Sequence, residues 1–145
     1  MKKYIPVLKR TKLFSGVGEE DIASLLSCLG ARKKEYKKGE YILREGEHIS
    51  DIFILVEGNI HIQKDDYWGN RSILSVISVG EMFGEGYAAP ESGALLNDVV
   101  AVEDSSVIFF DVKRMIIRSA ASFIASQFYC ALHSVIRFAS LLRIK

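Results

Sequence analysis

The sequence predicts a mainly β domain with flanking helices, ending in one long helix, and three features of its pattern carry that prediction. Glycines at 39, 46, 58, 69, 80 and 84 punctuate short runs of β-branched and aromatic residues. Apolar residues ahead of this region recur at helical spacing. From Ser122 to Lys145 neither Gly nor Pro occurs. Short strands about 8–12 residues apart, separated by glycine turns, describe a β sandwich or barrel.

In chain order, "SGVGEEDIASLLSCLG" places Glu19, Glu20 and Asp21 where a first helical turn favours negative charge. Ile22, Leu25, Leu26 and Leu29 follow at helical spacing, and Gly30 supplies the stop, so a helix over about 19–29 is expected. The strand candidates are Tyr41 to Leu43, Ile52 to Val56, Ile60 to Ile62, Ile73 to Val79, Val99 to Val102 and Val107 to Val112. Glu57-Gly58-Asn59 reads as a tight turn and "KDDYWGN" as a longer hairpin tip. In the last segment Phe128, Leu132, Val135, Ala139 and Leu142 are spaced 4, 3, 4 and 3, a heptad seam. Ile124, Tyr129, Ile136, Phe138 and Leu141 make the remaining sides apolar as well. Such a helix needs cover on more than one face, one from the barrel and the other from a second copy of the chain.

A chain of 145 residues fits one domain with a proper core, and 49% hydrophobic with 26% charged residues is ordinary for a globular protein. The net charge of +1 carries no argument for a nucleic-acid partner. Its distribution is uneven: eleven Lys or Arg fall in the first 48 residues, none from Ser72 through Val112, and no acidic residue follows Asp111. Cys28 and Cys130 have no paired spacing and lie in helix-like apolar segments, so both are expected as reduced, buried thiols of a cytoplasmic protein. No run reaches the ~18 apolar residues that a membrane span needs.

The segments "LFSGVGEEDIASLL", "KKGEYILREGE", "DIFILVEGNIHI", "GEMFGE" and "VVAVEDSSVIFFDVKRM" together resemble the effector domain of Crp/Fnr-type bacterial transcription regulators. The resemblance covers essentially the whole chain. It implies a cyclic-nucleotide-binding-like fold, a double-stranded β-helix jelly roll over residues 1–120, and a long dimerisation helix over 121–145. It also implies an effector pocket inside the roll and a homodimer held by Phe128, Leu132, Val135, Ala139 and Leu142. DNA would be read only by a helix-turn-helix domain beyond the long helix, which the sequence ending "LLRIK" does not include.

By the same resemblance, Glu85, after Phe83 and Gly84, stands where nucleotide-binding members receive the ribose hydroxyl. Glycine there allows close backbone approach to a phosphate. An arginine that pairs with the cyclic phosphate belongs about ten residues later. Here that stretch reads "ALLND", with Leu95 or Leu96 in its place and Asp98 adding negative charge. The candidate effector pocket is therefore Phe83, Gly84, Glu85, Gly86, Tyr87, Leu96, Asn97, Asp98 and Tyr129. It is expected to have lost cyclic-nucleotide binding and to take an unidentified small effector. A working cyclic AMP or cyclic GMP module is the second reading, with Arg71 or the long helix supplying the missing cation.

Other chemistries find little support. "GEGYAA" matches G-x-G-x-x-A, but Pro90 and Gly93 break the helix that a dinucleotide site requires. His48, His61 and His133 include no His-x-His pair of the kind a metal-dependent barrel enzyme uses. Haem ligation by His133 or Cys130 remains a weaker alternative. No nucleophile–base set has a recognisable spacing, so no catalysis, metal or cofactor is expected. His61, alternating with Ile60 and Ile62, should face away from the core.

Overall fold

The computed structural model describes residues 2–87 and 93–111. Two helices lead into eight strands. Helix α1 spans Ile5–Lys9, directly after a 3-10 turn at Lys2–Tyr4, and α2 spans Glu19–Cys28. The strands are β1 (Arg32–Tyr36), β2 (Tyr41–Leu43), β3 (Asp51–Glu57), β4 (Ile60–Asp65), β5 (Arg71–Ile77), β6 (Met82–Phe83), β7 (Asp98–Ala101) and β8 (Ser105–Asp111). They form two antiparallel four-stranded sheets, in the orders β1-β8-β3-β6 and β2-β7-β4-β5.

Helix α2 lacks a side-chain cap at Gly18, and the three carboxylates of its first turn answer the exposed N–H groups instead. At its other end Gly30 turns left-handed (φ 64°). The Gly30 amide donates to the Ser27 carbonyl and the Ala31 amide to the Leu26 carbonyl, the paired bonds that close a helix through a glycine. Ile22, Leu25 and Leu26 are buried on one face, while Cys28 falls on the opposite face and is exposed. Helical periodicity overrides the apolar neighbourhood that suggested a buried thiol.

The two sheets enclose one core, and the helices build a second against the outside of the first sheet. Strand β3 serves both. Ile52, Ile54 and Val56 meet α1 and α2, together with Ile108 and Phe110 of β8. Phe53 and Leu55 point the other way, into the space between the sheets, with Val107, Ile60, Val99 and Ala101. A strand buried on both faces reads as an unbroken apolar run, which is why "IFILV" shows no alternation. Ile60 is fully buried and His61 half-buried on the opposite side, as the alternation predicts.

Three elements had no clear sequence signal. Strand β1 is "RKKEY", four exposed residues and one buried, whose strand identity comes from pairing with β8. Helix α1 and the two-residue β6 are too short for periodicity to show. Strand β5 begins and ends two residues earlier than the apolar run, and β8 begins two residues earlier. The expected long helix, its seam (Phe128, Leu132, Val135, Ala139, Leu142) and Tyr129 lie outside the described residues. Among the described residues no helix is long and apolar enough to cross a membrane.

The β3–β4 turn depends on Gly58, at φ 95°. A Cβ there would lie 2.6 Å from the Asp104 carbonyl oxygen and 2.7 Å from the Ser105 Cα. Left-handed strain and overpacking act together, so Gly58→Ala should lower stability by about 2–4 kcal/mol. Denaturant unfolding checks this, and a loss well under that range would show that the backbone at Asp104 yields.

Candidate effector site

The site is built on the chain that leaves β6. Phe83 is buried between the sheets and stacks on Phe53 with ring centroids 5.2 Å apart. Phe53 stacks in turn on Phe109 at 5.7 Å, so three aromatic rings form one wall. Gly84 follows at φ 81°, and a Cβ on it would lie 2.9 Å from Phe53 Cδ2 and 3.1 Å from Ile49 Cδ1. Glycine is needed here twice, for the left-handed backbone and for the close approach to the aromatic wall. Residues Glu85–Tyr87 then make a single 3-10 turn, with the Tyr87 amide donating to the Gly84 carbonyl at 3.1 Å. Tyr87 packs against the core between the sheets.

Glu85 is half-buried, and loss of hydration pushes its carboxyl above the usual glutamate range. The only influence opposing that rise is its own backbone N–H. Among the described residues, no Lys, Arg or His pairs with it. Arg71, the cation considered for the missing phosphate partner, is engaged elsewhere. Its Nε and Nη2 donate to the two carboxylate oxygens of Asp65, at 3.0 and 3.4 Å.

The "ALLND" stretch divides. Leu95 is buried in the core between the sheets, and its backbone is held by Gly46 and Glu47. Leu96 faces solvent and Asn97 is half-buried. Of the two leucines considered for the arginine position, only Leu95 faces inward. Asp98 opens β7, and alternation from the core residue Val99 turns its side chain away from the space between the sheets. Its Oδ1 accepts the Glu45 backbone N–H at 2.8 Å, tying β7 to the chain after β2.

The structure thus brings Phe83, Gly84, Glu85, Gly86 and Tyr87 together in one turn, sets Leu96 at the surface, and gives Asp98 a backbone partner. Phe53, Phe109 and Ile49, absent from the expected pocket, border the turn or share its core, which also holds Leu95, one of the two leucines expected at the arginine position. Their role is long-range packing, and the unbroken apolar runs that hold Phe53 and Phe109 mark strands without showing which face each ring takes. Among the described residues no group of three or more His, Cys, Asp or Glu could hold a metal ion.

Residues 33–116 match the model of the cyclic nucleotide-binding domain. The chain is 26% identical over 111 residues to human cGMP-dependent protein kinase 2, covering 76% of this chain and 14% of the kinase. It is 25% identical over 101 residues to the Cyclic AMP receptor protein of Thermus thermophilus, covering 70% of this chain and 45% of that protein. The chain therefore spans less than half the length of these relatives. Its fold superposes on the sensor domain of the transcriptional regulator DNR from Pseudomonas aeruginosa with a TM-score of 0.75 at 20% identity, covering 99% of this chain and 92% of that one. With more than half of its length matched, the chain belongs to the cyclic nucleotide-binding domain family.

Proposed function

We propose that this chain is the effector-sensing and dimerisation domain of a Crp/Fnr-type transcriptional regulator, and that its roll does not take cyclic nucleotides. The observation that carries this reading is the half-buried carboxyl of Glu85, with no cation beside it among the described residues. A cyclic phosphate placed 4 Å from such a carboxylate would be repelled by about 4 kcal/mol at an effective dielectric near 20. A missing arginine removes about 1.5–3 kcal/mol of charged hydrogen bonding as well. Leu95, buried in apolar surroundings, offers neither charge nor donor.

The effector this site suits is neutral or cationic and partly apolar. Phe83 and Tyr87 supply flat surfaces, and Glu85 supplies an acceptor that gains from a positively charged or strongly donating group. Binding would act on transcription by favouring one arrangement of the long helix over another. The relatives that are named for cyclic AMP or cyclic GMP favour the other reading, in which nucleotide binding persists through a cation on the long helix. Haem ligation by His133 or Cys130, and the dimer seam, fall on residues outside the described set.

Titration calorimetry separates the two readings. Neither cyclic AMP nor cyclic GMP should give measurable binding at micromolar concentrations, and saturable heat from either would overturn the proposal. Burial raises the folded-state affinity of Glu85 for a proton, so ionisation destabilises the fold as pH rises through that raised midpoint. Glu85→Gln should therefore raise the melting temperature at neutral pH. The gain should vanish once the pH falls below the ordinary glutamate range; an unchanged or lowered melting temperature at neutral pH would show that the carboxylate has a partner. For the seam, Leu132→Glu combined with Val135→Glu should halve the sedimenting mass, since each copy would bury unpaired charge. An unaltered mass would place the interface elsewhere.

A further inference from the structure

The inner face of the first sheet carries one row of side chains from edge to edge. In register, Arg32 of β1 stands opposite Phe109 of β8, Phe109 opposite Phe53 of β3, and Phe53 opposite Phe83 of β6. Tyr36 is buried between the sheets, and strand alternation puts Arg32 on the same side of β1. Neighbours in the row lie close along its whole length. The Arg32 guanidinium lies over the Phe109 ring, 4.5 Å from its centroid, and the ring centroids then follow at 5.7 and 5.2 Å. A strand whose charges read as a solvated edge therefore sends one cation onto the aromatic wall of the candidate site.

Two interactions hold the guanidinium there. Its flat, weakly hydrated face suits stacking on a ring better than a lysine ammonium does. Asp51, on the same face of β3 as Phe53, brings its Oδ1 to 3.7 Å from Arg32 Nη2. Asp51 also stands opposite Asp111 at the end of the β3–β8 ladder, so two carboxylates face each other and Arg32 offsets their repulsion. Burial pushes the Asp51 carboxyl above the ordinary aspartate range, Arg32 opposes that rise, and Asp111 adds to it.

The other end of the row bears on the turn. A Cβ on Gly84 would touch the Phe53 ring, so the backbone there rests against it, and Glu85 is the next residue. Phe109 is only half-buried, and Arg32 covers one of its faces. Without the guanidinium the Phe109 ring gains freedom, Phe53 loses a fixed neighbour, and the backbone at Gly84 loses the surface it rests on. We propose that Arg32 is a positioning residue of the effector site: it closes the aromatic row at the far edge of the sheet and, through Phe109 and Phe53, holds the Gly84 turn that presents Glu85. It acts by contact, since Arg32 is not among the charges that bear on Glu85. The inference rests on reading that turn as the effector site, but it concerns the geometry of the turn and not the identity of the effector.

The test is NMR of the full chain carrying Arg32→Gln, which removes the charged, stacked group and keeps a polar side chain. The Gly84 α protons, which lie beside the Phe53 ring, should shift. The Tyr87 amide, which donates to the Gly84 carbonyl, should exchange about two- to fivefold faster, the factor that one exposed cation–π contact carries. The titration midpoint of the Glu85 carboxyl should fall toward the ordinary glutamate range, because a looser turn is better hydrated. A direct effect of charge has the opposite sign, since removing a cation raises a carboxyl's midpoint. Arg32→Lys keeps the charge but not the flat face, and should behave like Arg32→Gln. If Arg32→Gln does not fold, Asp51→Asn frees the guanidinium without altering β1 and should move the Gly84 and Tyr87 signals in the same direction. Unchanged Gly84 and Tyr87 signals in a folded variant, a Glu85 midpoint that rises in Arg32→Gln, or full rescue by lysine each overturns the proposal. Binding of cyclic AMP to the unmodified chain would overturn the proposed function and leave these shifts standing, so the two failures are told apart.

Discussion

The close approach of Gly84 to the rings of Phe53 and the tip of Ile49 sets the whole site. It lets the chain leave β6 with Phe83 directed between the sheets and turn at once into Glu85–Tyr87. A larger residue would push that turn off the aromatic wall. Strand β3 makes the approach possible, because its outer face is fixed by the helices while Phe53 faces inward. The helical layer, the shared strand and the turn are therefore one mechanical unit.

The site's chemistry follows from what stands near that carboxyl. Several carboxylates on the described surface have partners: Asp65 binds Arg71, Asp98 takes the Glu45 amide, and Glu57 takes Lys3 and the Ser106 hydroxyl. Among the described residues, Glu85 has only its own backbone amide to offset desolvation. A group kept in that state gains most from a ligand that brings a positive charge or a strong donor, and loses most from one that brings an anion. Among the described residues, the glycine turn thus presents a carboxyl that no cation accompanies.

The sequence made the main architecture legible wherever one physical signal dominated. Acidic residues, apolar spacing and Gly30 defined α2, and glycine turns separated β3, β4 and β5. Local signals failed where pairing at long range decides structure. Strand β1 is nearly all charged and exists because β8 lies beside it, and Cys28 changed environment through helical phase alone. At the site, the turn from Phe83 to Tyr87 could be read from its glycines and carboxylate. The opposite orientations of Leu95 and Leu96 could not, because both are equally apolar and only the bonds of Leu95 to Gly46 and Glu47 settle which one turns inward. Asp98 misled for a related reason: its charge is visible in the sequence, whereas its direction follows from the pairing of β7.

The most direct test of the account is a carbon-detected NMR titration of the Glu85 carboxyl, performed with and without cyclic AMP. The account predicts a midpoint above the usual glutamate range that the nucleotide does not move. A midpoint below that range, which a nearby cation would produce, or one that shifts when cyclic AMP is added, would contradict it.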